Sequence, residues 1–312
     1  MEQITNTILM IRPVSFRMNE QTAVNNYYQK VLESLNSETV QLKALQEFDN
    51  FVDKLREAGV QVIVIEDSKD SNTPDSIFPN NWISFHENGD VALYPMFAEN
   101  RRLERREDVF TILEEQGFEI ENVIDYTLAE KEGLFLEGTG SLLLDRINRK
   151  AYCALSPRAD EDLFIEFCED FEYTPVPFVS YQTVNEKRLP IYHTNVMMCI
   201  AEEFVIICLD SIDDKKDKKN VIKHLKEDYK EIITISETQV AQFAGNMLQV
   251  LGNNGEKYIV MSQSALDSLN KGQLNAISKY CKIISSPIDT IEACGGGSVR
   301  CMMAEVFLPK KS

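Results

Sequence analysis

Histidine and tryptophan are scarce in this chain of 312 residues, three and one respectively, and basic residues number 32 against 50 acidic, a formal charge of −18. Each shortage excludes something. The acid excess removes nucleic acid and anionic membrane as partners, because phosphate recognition needs clustered Lys and Arg. No apolar run reaches the length that spans a bilayer: the best stretch, 196–209, is broken by Glu202 and Glu203. The opening MEQITNTILMIRPVS lacks a basic leader and a small-residue cleavage site, so no secretory signal is read. Seven cysteines, an odd number with no Cys-x-x-Cys spacing, argue against a disulfide framework and against structural zinc. A soluble, cytoplasmic protein of a reducing compartment is expected, with no metal, and 44% apolar residues supply its core.

What is present is rhythm. Leu45, Phe48, Val52 and Leu55 draw one apolar stripe along a helix over 37–59. Gly59 closes that helix, and the β-branched run 60–65 follows as a buried strand. A hairpin turning at Asn88-Gly89 comes next. The same order recurs. Helices are expected over 102–117, 159–171, 218–229 and 265–280, with hairpins or strand pairs between them and a last strand over 299–307. The orphan strand 7–11 is left to pair with that last strand, which would close the units into a ring. The mixed-sign run 213–219 reads as a solvated loop. No linker divides the chain, so residues 1–312 are read as one domain.

Polar or small residues stand where each unit's first strand begins: Asn81, Glu137, His193, Asn246 and Cys301, separated by 56, 56, 53 and 55 residues. In a radial array, equivalent positions face the axis, and five distant residues would meet at one site. Cys301 follows Gly295-Gly-Gly-Ser-Val-Arg300, where three glycines let the backbone bend or a ligand approach. The loop lacks Gly-Lys-Ser/Thr, which disfavours a phosphate cradle. Cys153, Cys168, Cys199, Cys208 and Cys281 lie in apolar patterns and read as packing residues. His86 and His224 read as surface residues, and His193 as the imidazole that faces a cleft. A thiol, an imidazole, a carboxylate and an amide together suit attack on a planar, resonance-stabilised C–N centre.

These residues resemble the guanidino-group-modifying enzymes of the pentein superfamily: arginine deiminase, dimethylarginine dimethylaminohydrolase and the amidinotransferases. The resemblance rests on the Gly-Gly-Gly-x-x-x-Cys ending, Glu137-Gly-x-Gly140, the single histidine opening a mid-chain strand and the five-fold spacing. It runs from Met10 to Phe307 and is nearest to the citrulline utilisation hydrolase branch that carries Phe78-Pro-Asn-Asn-Trp82. It implies an α/β pentein fold: a five-bladed propeller of ββαβ units with pseudo-five-fold symmetry, closed by the terminal strands.

The resemblance also implies roles. Cys301 would be the nucleophile, His193 the general acid/base and Glu137 the carboxylate that holds substrate nitrogens. Arg101 or Arg102 would take the substrate α-carboxylate, a task that suits a bidentate guanidinium. Phe78, Asn80, Asn81, Asn195 and Asn246 would complete the substrate-binding wall. One departure matters. Where dimethylarginine hydrolases read Asp-x-x-Phe-x-x-Asp, this chain ends in Asn81, so a cationic substrate lacks its usual acidic partner. The substrate expected is therefore citrulline, a free amino acid with a neutral ureido group, cleaved to ornithine, ammonia and carbon dioxide without a cofactor. Arginine deiminase, dimethylarginine hydrolase and amidinotransferase activity are the alternatives, and a non-catalytic pentein-fold binding protein is another. A papain-like peptidase is disfavoured, because there the cysteine precedes the histidine. A homo-oligomer is left open.

Overall fold

The computed structural model describes residues 2–30, 32, 35–68 and 72–311. Strands β1 (Thr7–Arg12) and β2 (Gln61–Glu66) pair in parallel, because the 21-residue helix Ser37–Glu57 crosses between them. Asn36 caps that helix by accepting from the Thr39 N–H, and its stripe of Ala44, Phe48, Phe51, Val52 and Leu55 is buried.

Four further sheets repeat one plan, an antiparallel hairpin followed by a parallel strand. They are β3 (Ile83–Phe85), β4 (Asp90–Leu93) and β5 (Asn122–Asp125); then β6 (Leu142–Asp145), β7 (Lys150–Ala154) and β8 (Thr174–Phe178). A separate hairpin, β9 (Tyr181–Val184) and β10 (Lys187–Pro190), stands outside the plan. The plan resumes with β11 (Met198–Ile200), β12 (Phe204–Ile207) and β13 (Glu231–Thr234), and then β14 (Leu248–Leu251), β15 (Lys257–Ser262) and β16 (Lys282–Ser286). Finally β17 (Ala304–Glu305) lies antiparallel to β1, Ile8 facing Glu305, so the first sheet is built from both ends of the chain. Each opening strand runs into the core beside its neighbours, β17 against β3 and β11 against both β6 and β14. The five expected units and their closure are present.

Several boundaries differ from expectation, each for a local reason. The helix expected over 102–117 is a 3-10 turn, Glu99–Glu104, and a short helix, Asp108–Glu115, because Arg105 is extended. The one expected over 265–280 is two, Gln263–Ser268 and Lys271–Ile277. Asn270 and Gln273 form a capping box that starts the second, a signature the sequence carries. Asp214 caps a helix that begins at Lys215, so most of the 213–219 run is helical and not a loop. The terminal strand is far shorter than 299–307, since residues 298–303 form successive turns. His86 is buried, stacked on Phe171 with Nε2 bonded to the Ser84 hydroxyl. Among the described residues no helix is long and apolar enough to cross a membrane.

Candidate functional site

Segments from separate sheets converge on one small cavity, with Glu137, Asn195 and Asn246 buried behind its lining and not in it. Phe78, Asn81, Arg101, His193 and Cys301 line it, together with Asn26, Asp75, Arg158, Tyr192 and Gly295–Gly297. Asn81 lies in the turn that precedes β3, Glu137 just before the residues that lead into β6, His193 at the turn before β11, Asn246 before β14 and Cys301 before β17. Gly140 lets the segments meet: a β-carbon there would fall 2.4 Å from Asn81 Nδ2 and 2.9 Å from His193 Nδ1.

Glu137 is wholly buried. Its Oε1 accepts from the Phe97 N–H at 3.0 Å, and its Oε2 lies 2.7 Å from His193 Nε2 and 3.5 Å from Arg158 Nη1. Burial alone would raise its pKa. Arg158, the His193 hydrogen bond and Arg101 outweigh that, and the carboxyl is held well below the usual range. His193 moves down to about 4, because burial disfavours the imidazolium more than Glu137 supports it. A neutral ring beside an ionised carboxylate carries its proton on Nε2, which leaves the lone pair on Nδ1.

Cys301 Sγ meets two amides. Asn246 Nδ2 approaches to 3.3 Å and Asn195 Nδ2 to 3.5 Å, while Asn195 Oδ1 is buried without a partner. Asn81 also has one half occupied. Its Oδ1 accepts from Arg101 Nη1 at 2.8 Å, and its Nδ2 is buried with no acceptor.

The two arginines singled out from the sequence part company. Arg101 is buried, its guanidinium spread over Glu104, Asn81 and the Phe78 carbonyl, and these acids with Asp75 and Glu137 hold it charged against burial. Arg102 is half-buried and turns away, donating to the Met96 carbonyl and lying 3.4 Å from Glu130. It does not line the cavity, nor does Asn80, which is buried with both side-chain polar atoms unpaired.

Of the cavity residues that escaped the sequence reading, Arg158 and Asp75 are the charged ones. Arg158 lies 4.8 Å over the Tyr192 ring and donates to Asn25 Oδ1 and the Thr22 carbonyl, with Nη1 the least engaged nitrogen. Asp75 accepts from Asn19 and Thr22 through Oδ2, whereas Oδ1 is buried and unpaired; burial raises its pKa against the pull of Arg101. Asp75 opens the Asp-x-x-Phe signature, which was the available signal. Arg158 follows an irregular Ser-Pro pair and offered none.

The segment 19–29 roofs the cavity. Asn19 and Thr22 hold Asp75, Asn25 holds Arg158, and Asn26 and Gln29 donate to the Gly295 carbonyl. Cys301 is only 4% exposed. At Gly296, φ is +62° and a β-carbon would lie 2.6 Å from the Asn26 side chain. Gly296→Ala is expected to raise KM several-fold with a smaller change in kcat, read from steady-state kinetics on the reactive substrate.

A family model described as N,N dimethylarginine dimethylhydrolase, eukaryotic, matches residues 12–308. No curated protein matches the chain. Among solved structures, apo ArgZ, an arginine dihydrolase from the ornithine-ammonia cycle in cyanobacteria, superposes with a TM-score of 0.73 at 18% identity. That alignment covers 98% of this chain and 41% of ArgZ, so the chain spans about two fifths of that protein. The N-terminal domain of ArgZ bound to substrate gives 0.69 at 18% identity, over 97% of this chain and 99% of the domain. A dimethylarginine dimethylaminohydrolase adduct with S-methyl-L-thiocitrulline gives 0.62 at 14% identity, over 97% and 99%. The fold is that of these pentein enzymes.

Proposed function

The chain belongs to the dimethylarginine dimethylhydrolase family, and from that premise we propose that it is a hydrolase that cleaves a C–N bond of free citrulline through a covalent intermediate on Cys301. The observation that carries the choice of substrate is Asn81. With Oδ1 fixed by Arg101, its Nδ2 is a buried donor that needs an acceptor. A ureido group offers a carbonyl oxygen there; a guanidinium offers only further N–H groups.

The Cys301 sulfur adds to the ureido carbon and His193 receives the thiol proton. The negative charge that develops on the ureido oxygen meets Asn81 Nδ2, a donor already oriented. His193 then protonates the departing nitrogen, which releases ornithine and leaves a carbamoyl group on sulfur. Water, deprotonated by His193, releases carbamate, which breaks down to ammonia and carbon dioxide. Glu137 keeps the ring in one tautomer and compensates its charge as the proton moves. At the other end of the substrate, Arg158 Nη1 takes the α-carboxylate beside Arg101, and Asp75 Oδ1 takes the ammonium.

Arginine is the second reading, favoured by the two buried carboxylates Glu137 and Asp75 and by the same nucleophile. A panel of citrulline, arginine and dimethylarginine separates the readings, with ornithine, citrulline and ammonia each quantified. Ornithine and ammonia in equal amounts from citrulline are expected. Turnover of arginine or dimethylarginine with none of citrulline would sink the substrate assignment. Asn81→Asp should lower kcat/KM for citrulline about 100-fold, the cost of an oxyanion donor, and lower it less for a guanidino substrate.

A further inference from the structure

We propose that Asn246 is a positioning residue for the nucleophile: its side-chain amide fixes the sulfur of Cys301 and favours the thiolate over the thiol. The sequence placed Asn246 with the substrate-binding residues, and its contacts point elsewhere. Its Oδ1 accepts from the Arg300 N–H at 3.0 Å. Its Nδ2 donates to the Asn195 carbonyl at 3.0 Å and approaches Cys301 Sγ at 3.3 Å. All three contacts are buried.

These contacts determine which way the amide faces. Turned over, Oδ1 would confront the Asn195 carbonyl and the sulfur, both acceptors, and the Arg300 N–H would lose its partner. Nδ2 therefore stays toward sulfur. Through Arg300 N–H the same side chain holds the peptide that leads into Cys301, while Cys301 N–H donates to the Ser298 carbonyl. Sulfur and backbone are thus held from one asparagine.

A donor at this place matters because no cation is spare to supply the charge. A thiolate usually gains from an adjacent imidazolium or guanidinium. Here His193 is neutral and bonded to Glu137. Arg300, next in sequence, turns away to the Met303 carbonyl and Glu305. Arg101 and Arg158 face the cavity but are paired with Asp75 and Glu137, and Tyr192 is the remaining titratable group in its lining. What touches the sulfur is amide N–H, from Asn246 and, at 3.5 Å, from Asn195.

The proposal rests on the reading of Cys301 as nucleophile, and its test needs no substrate. Alkylation of Cys301 by iodoacetamide is followed by peptide mass mapping, which separates it from the other six cysteines, in the unaltered chain, Asn246→Asp and Asn246→Ala. At pH 7 both variants should react at least tenfold more slowly, Asp more so because it sets an anion against sulfur. At pH 10 their rates should return to within about threefold of the unaltered chain, because deprotonation is no longer limiting. Rates within twofold at pH 7 in folded variants would overturn the proposal. So would an equal loss at pH 7 and pH 10, the mark of a side chain that only holds the loop. If Asn246→Asp does not fold, Asn246→Ala, neutral and smaller, decides. Failure of the catalytic reading shows itself separately, as turnover retained by Cys301→Ser.

Discussion

Cys301→Ser is expected to lower turnover roughly 10,000-fold or more, with the melting temperature almost unchanged. The size follows from the chemistry, since the nucleophile and its proton carrier act as one unit and loss of either removes nearly all covalent catalysis. A serine oxygen at this place would have to lose its proton to a ring whose basicity burial has pushed down to about 4, which that ring cannot achieve for an alcohol. Stability is spared for a structural reason. The thiol contributes two long contacts to amide nitrogens, and a hydroxyl can accept from the same amides. Steady-state assays of the reactive substrate check the first statement and thermal unfolding by circular dichroism the second. Turnover within tenfold of the unaltered chain would remove the covalent mechanism altogether.

Glu137→Gln should damage both activity and stability. The side chain is the counter-charge of Arg158 and a partner of Arg101, and it is completely buried. Arg101 retains Glu104 and Asp75, but besides Glu137 the hydrogen bonds of Arg158 go to the neutral Asn25 and the Thr22 carbonyl. Breaking a buried pair from one side costs about 3–5 kcal/mol, which denaturant unfolding will measure. Turnover should fall about 100- to 1,000-fold, because the imidazole loses both its orienting acceptor and the anion that compensates its charge. The pH profile supplies a further check. A neutral His193 is needed to receive the thiol proton, so kcat/KM should hold down to about pH 4 and fall below it. Glu137 raises the His193 pKa, so the Gln variant should keep its residual activity to still lower pH. A limb that moved upward would contradict the arrangement.

The parts of this site that the sequence made legible are those repeated at the unit spacing. Asn81, Glu137, His193, Asn246 and Cys301 stand at equivalent places because each sheet begins with the same strand, and a regular fold converts equal spacing into convergence. The roof and the far end of the cavity obey no such rule. Asp75 meets Asn19 and Thr22, Arg158 meets Asn25, and these contacts join loops whose geometry depends on the finished packing. Arg102 illustrates the converse. Its neighbour Arg101 enters the cavity, and in the tight 3-10 turn the next side chain is carried outward to Glu130. The burial of His86 was hidden because its partner, Phe171, lies 85 residues further on at the end of another unit's helix.

The pairing of Ile8 with Glu305 closes the longest loop of any strand pairing among the described residues. Four of the sheets join strands from within one neighbourhood of the chain and can form locally, whereas the fifth must bring together segments from its two extremes. Cys301 stands in the turns directly before β17. The contacts of Cys301 with the Asn246 and Asn195 amides are therefore completed by the same step that completes the architecture.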